Sequence, residues 1–202
     1  MRSWILALVV FALLLAGCAG PTSPQADGIN TSSVGNASAA PNTNNNSEVT
    51  PMANATQDPI VVFETTKGTF KAVIYVGQAP ITGNNFMKLV RSGFYNNLTF
   101  HRYEPNFVIQ GGDPKGDGTG GSGTNIPLEI VPGLTHQLGS LGMARSNDPN
   151  SASSQFYVVT GPASFLDGQY AVFGRVTGPD QMAVVQALRA GDRMTKVYEQ
   201  KP

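Results

Sequence analysis

The chain has one cysteine, two histidines and one tryptophan in 202 residues, and each scarcity excludes something. A lone cysteine, Cys18, forbids an internal disulfide framework and any multi-cysteine metal site. Two histidines, His101 and His136, are too few for a histidine-rich metal centre. Asp113, Asp117 and Asp148 lack the spacing of a calcium loop and read as surface turns. Neither a metal nor any other cofactor is therefore expected. Charge is scarce too: Asp, Glu, Lys and Arg make up 13% of the chain, about half the usual share. With a formal net charge of +0 and no basic cluster, nucleic acid is not an expected partner.

Long apolar runs are missing as well. The stretch from Trp4 to Ala16 falls short of the roughly 20 residues that span a bilayer. Preceded by Arg2 and followed by small residues, it has the layout of a secretory signal over residues 1–17. Its end, "LAGC" at Leu15 to Cys18, resembles the lipobox of bacterial lipoproteins. That resemblance implies cleavage before Cys18, lipidation of Cys18, and an extracytoplasmic domain anchored to a bacterial membrane. A plain signal peptide with an incidental cysteine is the alternative. From Cys18 to Asp58 the chain is mostly Asn, Ser, Thr, Ala and Pro, too poor in large apolar side chains to offset the entropy of ordering. It reads as a disordered polar tether with a reach of roughly 35 Å.

Residues 59–202 hold nearly all the aromatics and are long enough for one core. "IVVFETTKGTFKAVIY" reads as a hairpin turning at Lys67 and Gly68. "LTFHRY", "FVIQGG", "SLGMA", "QFYVVT", "YAVFGRV" and "RMTKVYEQ" are further strand candidates. Helical spacing links Phe86, Leu89 and Val90, with Thr82 as candidate N-cap and Gly93 as the stop. The same spacing links Met182, Val185 and Leu188, starting at Pro179 and ending at Gly191. Many strands and two helices predict a mainly β fold, a closed antiparallel sheet with the helices plugging its ends.

"FHRYEPNFVIQGGDP", Phe100 to Pro114, resembles the signature of the cyclophilin-type peptidyl-prolyl cis-trans isomerases. The likeness continues in order through "LGMAR", "SSQFYVVT" and "FLDGQYAVFGRV". It implies an eight-stranded antiparallel closed barrel capped by two α-helices, with a substrate groove on its outer face. It also implies rotation about the bond before proline; with the lipobox and tether ahead of it, the expected substrates are exported or unfolded polypeptides, and a monomer is expected. On this resemblance Arg102 and Gln110 are catalytic. Phe107, Val108, Tyr157 and Leu166 line a proline pocket, and Ala144 and Gln155 bind the neighbouring peptide. Phe165 stands where many members carry a tryptophan that helps to bind cyclosporin, and Tyr170 replaces a histidine frequent at the pocket rim. A proline-peptide binding module, or an envelope adaptor with little turnover, is the alternative.

Strand parity agrees in part. Val108 and Gln110 share a face, as do Gln155 and Tyr157, which leaves Phe156 and Val158 for the core. Phe107 has the wrong parity unless the strand begins there or bulges. The run "GGDPKGDGTGG" lacks the ending of a nucleotide-binding loop and reads as a wandering surface loop whose glycines permit turns. Bond rotation gives a proton carrier nothing to do, so His101 reads as a structural, hydrogen-bonding histidine. His136 reads as a turn residue.

Overall fold

A computed structural model of the protein describes residues 58–201; the expected signal, Cys18 and nearly all of the expected tether lie outside the described residues. Eight strands and two helices follow one another as β1 (Ile60–Thr65), β2 (Gly68–Ile74), α1 (Pro80–Arg91), β3 (Phe100–Glu104), β4 (Val108–Gly111), β5 (Ser140–Met143), β6 (Phe156–Val159), β7 (Val172–Val176), α2 (Pro179–Ala187) and β8 (Met194–Glu199). Each strand matches one of the candidate runs, β3 passing the end of its run by Glu104 alone, and β5 forms although it holds no Val, Ile, Phe or Thr. All pairings are antiparallel, in the order β3-β4-β6-β5-β7-β2-β1-β8.

The expected closure of the sheet is not what forms. β3 and β8 are the two edges of the sheet, and they meet only at an isolated bridge between Thr99 and Arg193. Four backbone bonds tie residues 97–100 to 191–194: Asn97 N to Met194 O, Met194 N to Leu98 O, Phe100 N to Asp192 O, and Gly191 N to Phe100 O. The outermost of these donors, Asn97 (φ 63°) and Gly191 (φ 94°), are left-handed, and the pairing stops at them. The fold is an open half-barrel.

Strand alternation sends Phe63, Phe70, Phe156 and Phe173 inward, where α1 adds Phe86, Met87 and Val90, and α2 adds Met182 and Val185. Phe63 and Phe70 face each other across the first hairpin, with ring centroids 4.5 Å apart. Phe86 sits at the centre of the aromatic cluster, edge-on to Phe156 at 5.4 Å and tilted against Phe173 at 5.0 Å. α2 stops at Ala187, short of Gly191. α1 starts at Pro80, so Thr82 lies inside the helix and does not cap it. The cap comes from far along the chain instead: the Glu129 carboxylate accepts from the Ile81 and Thr82 amides at 3.0 and 2.7 Å, meeting donors that the first helical turn leaves open.

Removing the Phe86 ring deletes several of these contacts at once. Phe86→Ala is expected to cost about 3–5 kcal/mol, a large part of a typical domain's stability. Urea denaturation followed by far-UV circular dichroism will show this as a lower midpoint.

Candidate active site

Three strand pairings set the site. Arg102 on β3 lies opposite Gln110 on β4, Gln110 lies opposite Tyr157 on β6, and Tyr157 lies opposite Gly142 on β5. Directly paired residues project from the same face of a sheet, so these four form one row across four strands. Their neighbours along the strands, Ile109, Phe156 and Val158, are buried in the main core, so the row lies on the outer face. Gly142 offers no side chain, and the Tyr157 ring lies across it; a Cβ at 142 would overlap that ring.

A second, smaller apolar cluster gathers on this outer face. Val108, Tyr157, Val159 and Ala163 are buried there, with Phe107, Ala144, Leu166 and Tyr170 packed half-buried around them. Six of the eight expected substrate-binding residues are therefore in one cluster. Phe165 is 63% exposed and stacks on Phe107 at 5.2 Å, which extends the apolar surface to the rim. The parity problem at Phe107 resolves simply, because β4 begins at Val108. A tight turn at left-handed Asn106 (φ 55°) delivers Phe107 just before the strand. Gly161 lets the following loop pass the Asn106 backbone where any Cβ would collide with it. That passage brings Ala163 and the short 3-10 turn Ser164–Leu166 over the cluster.

A polar line borders the apolar one. Arg102 Nη1 donates to Gln110 Oε1 at 3.3 Å, and Gln110 Nε2 donates to Gln155 Oε1 at 2.9 Å. Gln155 Nε2 then donates to the carbonyls of Gly118 and Gly120 at 2.9 and 2.8 Å. Because those last acceptors are carbonyls, the orientation of both amides is fixed all the way back to the arginine. Arg102 Nε also donates to Glu104 Oε1 at 3.3 Å. The guanidinium is thus held by two neighbours while about half of its side chain stays exposed (47%).

The glycine-rich loop is organised by Asp113, which is buried at 1% exposure and is no surface turn. Its carboxylate accepts from the amides of Lys115, Asp117 and Gly118 at 2.8, 3.1 and 2.6 Å. Burial raises its pKa, but the amides of Lys115, Gly118 and Gly120, with His101 nearby, more than offset burial and hold it below the ordinary carboxylate value. His101 meets the expected hydrogen-bonding role in part: Gln155 interacts with its ring, while its buried Nδ1 has no hydrogen-bond partner. Burial and, less strongly, the adjacent Arg102 cation hold its pKa below the ordinary value against the pull of Asp113.

His136 is the residue that sequence reasoning missed. It is buried, at 5% exposure, rather than exposed in a turn. Its ring joins Asp167 through Nδ1 at 2.7 Å and the Tyr157 hydroxyl through Nε2 at 2.9 Å. Burial, and then Tyr170 and Asp167 nearby, drive the Tyr157 pKa far above that of a free phenol, so Tyr157 stays protonated. Arg145 went unremarked as well. It donates to the Gln169 carbonyl at 2.9 Å and lies over the Tyr170 ring at 4.5 Å, which fixes the rim.

A family described as "Cyclophilin type peptidyl-prolyl cis-trans isomerase/CLD" matches residues 60–202. Among curated relatives, a peptidyl-prolyl cis-trans isomerase-like 1 of Gibberella zeae is 49% identical over 70% of this chain and 90% of its own length. A peptidyl-prolyl cis-trans isomerase of Synechococcus elongatus is 43% identical over 67% of this chain and 92% of its own. Among solved structures, a cyclophilin-type isomerase of Cryptosporidium parvum, determined in the presence of the dipeptide Ala-Pro, superposes with a TM-score of 0.64 at 29% identity, covering 71% of this chain and 99% of that one. The half-barrel with its outer apolar cluster thus has the architecture of a cyclophilin-type isomerase. The chain belongs to the cyclophilin-type peptidyl-prolyl cis-trans isomerase family, and its activity is peptidyl-prolyl cis-trans isomerisation.

Asp113 yields a pH prediction. Its folded-state pKa is lowered, so its contribution to order is present above the ordinary carboxylate value and lost as pH falls through the lowered one, below about pH 4. Amide resonances of residues 115–120 and isomerase activity should weaken together on acidification through that range. Asp113→Asn should weaken both already at neutral pH.

Proposed function

We propose that Arg102 is the catalytic cation of this isomerase, with Gln110 orienting it, and that the proline ring rests against Phe107, Val108, Tyr157 and Leu166. On this reading Ala144 and Gln155 receive the adjoining peptide, while Phe165 and Tyr170 form the rim. The observation that carries it is the meeting of one held guanidinium with one apolar cluster on the outer face of the sheet.

An Xaa–Pro bond prefers trans by only about 0.5–1 kcal/mol, yet it is separated from cis by a resonance barrier of about 18–20 kcal/mol. The reaction needs no nucleophile or proton transfer, only tighter binding of the twisted amide than of either planar form. Twisting returns a lone pair to the proline nitrogen, which can then accept a hydrogen bond. A guanidinium already fixed by Gln110 and Glu104 can donate to it, or to the adjacent carbonyl, without reorganising. Its planar fork keeps its charge and can bridge two acceptors. An acceleration of about 10⁵ requires about 7 kcal/mol. One charge-assisted hydrogen bond supplies about 1.5–3 kcal/mol of that. The remainder is assigned to the preorganised polar line beside the twisting amide, in which Gln110 and Gln155 are already committed.

We further propose that the enzyme works outside the cytoplasm on exported or unfolded chains, held to a bacterial membrane through lipidated Cys18. "LAGC" at Leu15 to Cys18 and the polar residues up to Asp58 support this. Proline isomerisation takes about 10–100 s unaided and can limit folding, which gives such an enzyme its use.

Exchange NMR on a short Xaa–Pro peptide tests the first proposal. Arg102→Ala is expected to lower kcat by about 10- to 100-fold, the equivalent of one charge-assisted hydrogen bond, with little change in peptide affinity. Unchanged exchange would remove Arg102 from the mechanism. Mass spectrometry of the mature protein tests the second: a diacylglycerol-modified Cys18 is expected as the first residue, and an unmodified Cys18 would leave no anchor.

A further inference from the structure

Three observations about His136 converge. Its side chain is fully buried (0% exposed), and both ring nitrogens and its backbone amide are hydrogen-bonded. The amide and Nδ1 both meet Asp167 Oδ1, at 2.8 and 2.7 Å, so the ring cannot turn without giving up a bond. Its two ring partners belong to different walls of the outer-face hollow. Tyr157 on β6 forms the floor, and Asp167 directly follows Leu166 on the loop above.

We infer that His136 is a positioning residue for the isomerase reaction: a buried strut that sets the depth of the Tyr157 ring and the distance from it to the Leu166 wall, and so the width of the proline hollow. The Tyr157 ring already lies flat across Gly142, where no Cβ supports or displaces it. Tyr170 meets it edge-on at 6.4 Å. These contacts bound the ring on its faces and edge, and the bond from its hydroxyl to His136 pins the tip of the ring against swinging about the Cα–Cβ bond. Without that bond a buried hydroxyl would have no partner, and moving the ring towards the hollow is the direct way for it to find water.

The proposal rests on the proline placement given above. It makes a prediction different from the one for Arg102. The hollow holds the ring in the planar and twisted states alike, so distorting it weakens both equally, which raises KM and leaves kcat. Loss of the cation acts on the twisted state alone.

Two near-isosteric variants of the full chain separate the two bonds. The amide of Asn takes the place of Nδ1, so His136→Asn keeps Asp167 and releases Tyr157. The amide of Gln takes the place of Nε2, so His136→Gln keeps Tyr157. With folding verified by amide dispersion and a cooperative melt, His136→Asn is expected to raise KM about tenfold, equivalent to about 1.4 kcal/mol, with kcat within about twofold. His136→Gln should recover most of that loss. If His136→Asn does not fold, Asp167→Ala cuts the strut at its other end, freeing the His136 ring from the Leu166 wall, and the same rise in KM is expected. A folded variant whose KM stays within about twofold of wild type, or whose loss falls on kcat alone, overturns the strut. In the same titration the wild-type Tyr157 resonances should move when the Xaa–Pro peptide binds. If they do not, the proline placement itself fails, an outcome distinct from failure of the strut.

Discussion

Pairing register sets the whole outer face. Arg102, Gln110, Tyr157 and Gly142 stand in one row because β3, β4, β6 and β5 pair in one alignment. A slip of one residue in β6 would put Phe156 and Val158 on the groove and turn Tyr157 into the core. The burial of Phe156 against Phe63, Phe86 and Tyr95 opposes that slip. Core packing on one side of the sheet therefore enforces the arrangement of chemistry on the other, although the two clusters are separate.

Polar order runs along the same face with a definite direction. Asp113 gathers the glycine loop, the loop presents the carbonyls of Gly118 and Gly120, and these fix the Gln155 amide. Gln155 then fixes Gln110, and Gln110 presents an oxygen to Arg102. Each partner is committed before a substrate arrives, and such preorganisation keeps the cost of reorganising charge out of the reaction itself.

How much of this was legible depended on how local its cause was. All eight strands match segments recognisable in the sequence, β3 overrunning its segment by Glu104, and the helix around Phe86 follows its spacing. Parity assigned Phe156 and Val158 to the core and Tyr157 to the other face, but it could not say that the other face is a groove; only the family resemblance did that. The helix cap was misplaced because its carboxylate, Glu129, lies 47 residues beyond Thr82. His136 was read as a turn residue because its ring partners are 21 and 31 residues away, beyond any local pattern. Asp113 looked like one more polar loop residue, since nothing nearby in sequence announces that a carboxylate will be buried by the backbone it gathers. Closure failed for a similar reason: two left-handed residues, Asn97 and Gly191, end the seam where strand composition alone would continue it.

The open seam also decides what Arg102 is mounted on. β3 is hydrogen-bonded as a ladder on one side only, to β4, while Tyr157 sits on β6 between two partners. Local opening costs least where a strand has fewest neighbours. The cation therefore stands on a margin laddered from one side and owes its place to its own side-chain bonds to Gln110 and Glu104, while the ring-holding floor is braced by strands on both sides.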